Sequence, residues 1–196
     1  MLKWIGRLFI FAGLTVLITV GYLFYDFYYG SSYQTQEANE MLITHGYIDN
    51  EIDKNKLMKR EDFEPAIGKV YGILEIPEID LRLPIIYGSE LEHLKYGIGH
   101  NPSTAFPSDG KQIFLSAHND SAFLKIDELV PGDEIFINTP YGRYEYTIEN
   151  TEVAHETETW RVGNDDLEEL VLMTCYPFFS LTRPEERYLV YAYPAR

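Results

Sequence analysis

The 196-residue sequence predicts an all-β domain carried behind a single N-terminal apolar helix. Three observations lead there. Leu8 to Tyr25 is 18 residues long without a charge. From Lys69 onward, short apolar or alternating segments are separated by Gly, Pro, Asn and Asp, the pattern of strands and turns. Between these parts, Ser31 to about Pro65 is polar and mixed in charge, with no dense apolar block.

The apolar run comes first. As a helix it spans about 27 Å at about 1.5 Å per residue, close to a hydrocarbon core of about 30 Å. Lys3 and Arg7 precede it, and Asp26, Glu37 and Glu40 follow it, so the positive-inside rule puts the N-terminus in the cytoplasm and residues 30–196 outside. A cleaved secretory signal would have a shorter apolar core and a small-x-small site. This run ends instead in YLFYDFYYG, which supplies interfacial aromatics and reads as a retained single-pass anchor. The expected organisation is residues 1–29 as cytoplasmic end and anchor, 30–66 as a partly helical stalk, and 67–196 as the folded domain.

Within the domain, strands are expected at Val70–Ile76, Leu83–Ile86, Gln112–Ala117, Glu134–Asn138, Arg143–Glu149, Leu170–Thr174 and Arg187–Tyr193. Thr139-Pro140-Tyr141-Gly142 supplies Pro and Gly for a hairpin turn between the fourth and fifth. Asp120 is placed to cap a short helix running to Leu129, closed by Pro131-Gly132. Seven strands without alternating helices give a barrel or sandwich rather than a doubly wound sheet.

The formal net charge is −15. Lys3, Arg7 and Asp26 leave the first 29 residues at +1, so the remainder carries −16. That balance speaks against nucleic acid as a partner, since phosphates select basic faces. The single cysteine, Cys175, precludes an intramolecular disulfide.

Cys175 lies in LVLMTCYPF, at the polar end of an apolar strand that Pro177 cannot continue. A thiol at a strand end sits at a sheet rim, where reacting groups meet substrate. A lone cysteine is also a common inert core residue. A working thiol needs a proton donor for the leaving group and a donor for the developing oxyanion. His118 in LSAHND closes the strand Gln112–Ala117 and so occupies an equivalent rim. His100, in the Gly-rich GIGHNP, is its rival. His45, His93 and His155 read as solvated side chains. Arg183 and Arg187 follow the thiol by 8 and 12 residues. Arg187 opens the terminal strand, which a hairpin would return beside the cysteine strand, although Glu185 and Glu186 offer it a surface ion pair. No phosphate-binding Gly loop, G-x-S-x-G, H-E-x-x-H or paired C-x-x-C is present. Asn164-Asp165-Asp166 lacks the EF-hand pattern and reads as a solvated loop. Nothing calls for a cofactor or metal.

With these residues in view, the chain resembles the sortases, membrane-anchored cysteine transpeptidases of Gram-positive bacteria. LVLMTCYPF is similar to the family's T-L-x-T-C signature followed by Tyr-Pro. GILEIPEIDLRLPI, YGIGHNPSTAFP, LSAHNDSAF, LVPGDEI and ERYLVYA match further segments in the family's order. Tyr-Pro after the cysteine and Asn-Asp after the histidine look most like class D. Val171 replaces the first Thr of the signature, Ala117 stands where Gly commonly precedes the histidine, and the LTRPEE loop lacks the usual small residues. The last of these leaves substrate preference open.

The resemblance implies an eight-stranded, mostly antiparallel barrel. It implies Cys175 as nucleophile, His118 as general acid/base and Arg187 as oxyanion or substrate stabiliser, with a backbone N–H such as that of Asn119 assisting. The implied reaction cleaves an LPxT-G or LPxT-A sorting signal after Thr, forms a thioacyl enzyme and passes the acyl group to a cell-wall precursor amine. The implied partners are surface proteins bearing that signal, the peptidoglycan precursor and membrane lipid. A hydrolytic endopeptidase and a silent anchored binding module are the alternatives.

Overall fold

The structure, a computed structural model, describes residues 2–48, 51–178, 180 and 184–195. Helix α1 is continuous from Leu2–Thr44, 43 residues and about 65 Å at about 1.5 Å per residue. It ends where Gly46 takes a left-handed backbone (φ 97°) and its N–H reaches the Ile43 carbonyl. Its first half projects free of other protein, with Leu8, Phe9, Ile10 and Phe11 all exposed. Among the described residues it is the one helix long and apolar enough to cross a membrane. Its second half changes character: Ala38 and Leu42 are buried against Ile73, flanked by Met41, Tyr47 and Val70. Helical geometry therefore passes through residue 29 without a break, and its far end is packed on the domain. A two-residue ladder, Tyr47–Ile48 with Glu51–Ile52, follows.

Eight strands then close a barrel: β1 Val70–Ile76, β2 Leu81–Tyr87, β3 Ile98–His100, β4 Ile113–Ser116, β5 Glu134–Thr139, β6 Gly142–His155, β7 Leu170–Tyr176 and β8 Glu186–Pro194. Their order around the wall is β8-β6-β5-β1-β2-β3-β4-β7, with β7 also pairing β8. Only β2–β3 and β4–β7 are parallel. Closure leaves no unpaired edge to template aggregation.

Alternation fills the inside of the barrel. Ile135 and Ile137 of β5, Leu170 and Leu172 of β7, and Val190 and Ala192 of β8 belong to one core with Tyr71, Leu74, Ile85 and Leu115. The intervening residues Phe114, Val171, Leu189 and Tyr191 form a second apolar cluster on the outer surface, with Ala154, Val162 and Met173. β7 is thus covered on both faces, which is why LVLM reads as a continuous apolar run.

The seven expected strands are present, several longer than the sequence suggested. β3 was not expected: three residues with a glycine at their centre show no apolar alternation. β6 runs on to His155 because ENTEVAH, polar to read, pairs along its length with β8. The helix expected from Asp120 to Leu129 is not formed. Leu124, Ile126, Glu128 and Leu129 each donate a backbone bond three residues back, and only Ile126–Glu128 is a 3₁₀ turn. Ala122, Phe123, Ile126 and Leu129 are instead buried in the main core. So short a helix gains few bonds of its own, and sinking these side chains into the barrel end is worth more.

Candidate active site

Strand parity assembles the site. Phe114 and Val171 lie on the outer face, so Ser116 and His118, and Met173 and Cys175, two and four residues on, follow onto it. On β8, Leu189 is on that face and so is Arg187. The parallel β4–β7 pair runs from Ile113 opposite Leu170 to Ser116 opposite Met173, which brings the ends of both strands to one rim. In the β7–β8 ladder Arg187 is the direct partner of Cys175. Cys175, His118 and Arg187 all line one groove of about 430 Å³, floored by Phe114, Met173 and Leu189 and walled by Leu94 and Val162. An extended peptide could lie there with apolar residues against the floor and a carbonyl near the thiol.

The strand carrying the thiol is held on both sides. Thr174, of opposite parity, is buried and donates its hydroxyl to the Ala117 carbonyl at 2.7 Å, while the Ala117 N–H donates to the Met173 carbonyl at 3.1 Å. Asn119 Nδ2 donates to the Cys175 carbonyl at 2.9 Å. The turn after His118 is fixed by the Phe123 N–H bonding to the His118 carbonyl at 2.9 Å. β7 runs one residue beyond Cys175, and the Tyr176–Pro177 peptide, which is cis, ends it. Cys175 is half-buried and unbridged.

Arg187 is well occupied. Its Nη1 donates to the Pro184 and Glu186 carbonyls at 2.9 Å, and its Nη2 meets Glu156 Oε2 at 2.7 Å. The ion pair expected with Glu185 or Glu186 side chains is made with Glu156, which stands just past β6. Sequence spacing gave no hint of Glu156, because the β6–β8 register that delivers it had been cut short.

His100 is a core residue. It is fully buried, its Nδ1 accepts from Tyr71 Oη at 2.7 Å, and its Nε2 lies 3.2 Å from Thr104 Oγ1. Thr104 Oγ1 donates to the Asn101 carbonyl, so the network assigns the proton to Nε2. Burial pushes the His100 pKa down to about 4. His45 caps its own helix through the Met41 carbonyl. His93, expected in solvent, is a correction: its side chain is 11% exposed and lies against the backbones of Gly68 and Gly88, whose lack of a side chain admits the ring. His155 is exposed as expected, and borders the groove. Arg183 lies outside the described residues.

The wall over the groove, the β6–β7 connection, is tied down by groups that the sequence did not single out. Gln112 Nε2 donates to the Arg161 carbonyl and to Glu169, its Oε1 accepts the Gly163 N–H at 2.7 Å, and Tyr193 Oη donates to Glu169. Arg161 binds Glu152, Glu158 and Tyr191. Asp165 pairs with Lys111 at 3.3 Å. Among the described residues, no three His, Cys, Asp or Glu side chains converge as metal ligands.

A family model, the Sortase domain, matches residues 74–195. Sortase D of Bacillus subtilis (strain 168) is 36% identical over 143 residues, 72% of this chain and 71% of that protein. Sortase A of Listeria monocytogenes is 27% identical over 109 residues, 54% of this chain and 49% of that protein. Among solved structures, a Clostridium perfringens Sortase D5 transpeptidase superposes with a TM-score of 0.68 at 26% identity, covering 85% of this chain and 99% of that one. Sortase C from the same species gives 0.60 at 27% identity, covering 83% and 90%. The closed eight-stranded barrel, the matched family model and the extent of identity together place the chain in the sortase family, with class D sortases among its relatives.

Proposed function

We propose that the protein is a single-pass membrane enzyme, with its N-terminus cytoplasmic and its barrel outside. It joins surface proteins to a cell-wall precursor by cleaving an LPxT-G or LPxT-A signal after Thr. The observation carrying this reading is the shared rim: Cys175 and Arg187 are ladder partners, and His118 leaves the strand beside them into the same groove. The Lys3 and Arg7 charges ahead of the apolar run support the orientation.

In this mechanism the Cys175 thiolate attacks the Thr carbonyl carbon. Charge develops on the carbonyl oxygen, and Arg187, with the Asn119 backbone N–H, stabilises it. The His118 imidazolium protonates the departing amine as the C–N bond breaks, leaving a thioacyl enzyme and neutral His118. The acceptor amine then attacks the thioester. His118 takes its proton, the C–S bond breaks and the thiolate returns.

The test uses the full chain in detergent micelles with an LPxTA or LPxTG peptide and an amine acceptor, followed by mass spectrometry. The expected products are the amine-joined peptide and, on rapid quenching, an acyl adduct on Cys175. Hydrolysis alone under abundant acceptor would leave an endopeptidase. Cleavage by Cys175→Ala at the wild-type rate would defeat both enzymatic readings.

A further inference from the structure

One loop at the reactive rim is fastened to α1 at the level where it leaves its apolar run, and a second lies beside it there. Asp26 is the first charge after Leu8–Tyr25. Lys95 Nζ lies 3.0 Å from Asp26 Oδ2, and Tyr96 Oη donates to both Asp26 oxygens at 3.3 and 3.4 Å. Gly30, one turn on, lets the Tyr96 ring lie flat on the helix, where a Cβ would overlap it. Lys95 and Tyr96 belong to the β2–β3 loop, and Leu91 and Leu94 of that same loop line the reactive groove. The second loop is the segment after His118: Leu124 and Lys125 share a recess with Phe27 of the helix.

This attachment fixes a height. A membrane surface at Tyr25–Asp26 lies level with the β2–β3 loop and with residues 121–125. Those loops present apolar side chains outward there: Leu91 is 75% exposed and Leu124 40%. Their charges do not favour an anionic surface, since Glu90 and Glu92 flank Leu91, and Asp127 and Glu128 follow Lys125. The exposed feature shared by both loops is leucine.

We infer that the groove end of the barrel rests on the leaflet from which α1 emerges, with Leu91 and Leu124 seated in the lipid interface. The occupant of this surface is the bilayer itself, engaged by apolar contact and not by a cationic patch. The inference rests on α1 being a membrane span and deepens the proposed transfer reaction. A lipid-borne acceptor would reach Cys175 along the β2–β3 loop while its chain stays in the membrane.

Site-directed spin labelling of the full chain in lipid nanodiscs tests this. In a Cys175→Ala background, which leaves only the introduced thiol to label, the positions are Leu91→Cys and Leu124→Cys. Val20→Cys within the apolar run and Lys111→Cys ahead of β4, at the far end of the barrel, are the references. Labels at 91 and 124 should collide with oxygen in preference to chelated nickel, as at 20, and report seats within about 5–10 Å of the headgroup boundary. Aqueous behaviour at both, like that at 111, with lipid behaviour at 20, overturns the inference and leaves the anchor intact. Aqueous behaviour at 20 defeats the anchor reading and the inference with it.

A second arm uses Leu124→Asp with Cys175 restored. Transfer to a soluble amine should be unchanged, while transfer to an amine-bearing lipid in nanodiscs should fall about tenfold, the equivalent of losing one leucine's apolar burial. Equal effects on both acceptors overturn the inference. Absence of transfer by the unsubstituted chain to either acceptor defeats the proposed reaction, and the labelling arm still decides the membrane contact.

Discussion

Replacing Arg187 separates its chemical role from its structural one. The Arg187 side chain is 20% exposed and Glu156 30%, so their ion pair contributes at most about 1 kcal/mol to stability. The bonds to the Pro184 and Glu186 carbonyls, part-exposed, add about 1 kcal/mol more. Arg187→Ala should therefore lower Tm by about 4–8 °C, at about 2–4 °C per kcal/mol for a chain of this size. Its effect on rate should be far larger. Removing one oxyanion donor costs about 3–4 kcal/mol at the transition state, a loss of about 100–1000-fold in kcat. Arg187→Lys keeps the charge and forfeits the planar fork, and should fall between wild type and Ala. The assays are initial rates of LPxT-peptide cleavage for kcat and KM, and circular dichroism melting for Tm. A loss of under about tenfold in kcat at 15 °C, where both proteins remain folded, would refute the oxyanion role.

Three further outcomes are expected. The folded-state pKa of His100 is depressed to about 4 from 6.5, so its contribution to stability is full above pH 6.5 and is lost as pH falls towards 4. Urea midpoints of wild type should fall more steeply across that window than those of His100→Gln, by roughly 3 kcal/mol at its lower end. Gln112→Ala leaves the Gly163 N–H and one Glu169 oxygen without their amide partner, so it should cost about 1–3 kcal/mol and speed hydrogen exchange at residues 161–164. A Cβ at Gly99 would overlap Leu94 and stand 2.6 Å from the Gly88 carbonyl oxygen. Gly99→Ala should accordingly shift the groove wall and raise KM more than it lowers kcat; a change in kcat alone would contradict the placement of Leu94.

Much of the barrel was legible because its strands carry a period. Alternation placed β5 and the first half of β6, and the unbroken LVLM run placed β7. The hairpin assumed between β7 and β8 put Arg187 beside the cysteine strand. What stayed hidden lacked such a period. IGH of β3 is too short to display a period, and the polar second half of β6 is defined by its partner strand. The turns from Asp120 to Leu129 carry helical spacing, yet their apolar side chains serve as a plug for the barrel end. His100 and His93 show why histidines resist reading: polar neighbours in sequence say nothing of a Tyr71 hydroxyl or two glycine backbones arriving from elsewhere. Glu156 and the Gln112–Glu169 tie were unreadable for the same reason, since each joins segments that only the closed barrel brings together.

The parallel β4–β7 seam has a consequence for how the molecule comes into being. Thr174 and Ala117, bonded across its end, are 57 residues apart in the chain, so forming the seam means closing a long loop before any contact rewards it. Local hairpins such as β5–β6 and β7–β8 need no such closure. A chain with only its local hairpins formed would hold Cys175 beside Arg187 without His118. The thiol thus meets its proton partner only when this long-range seam forms, and copies that lack the seam lack the completed rim.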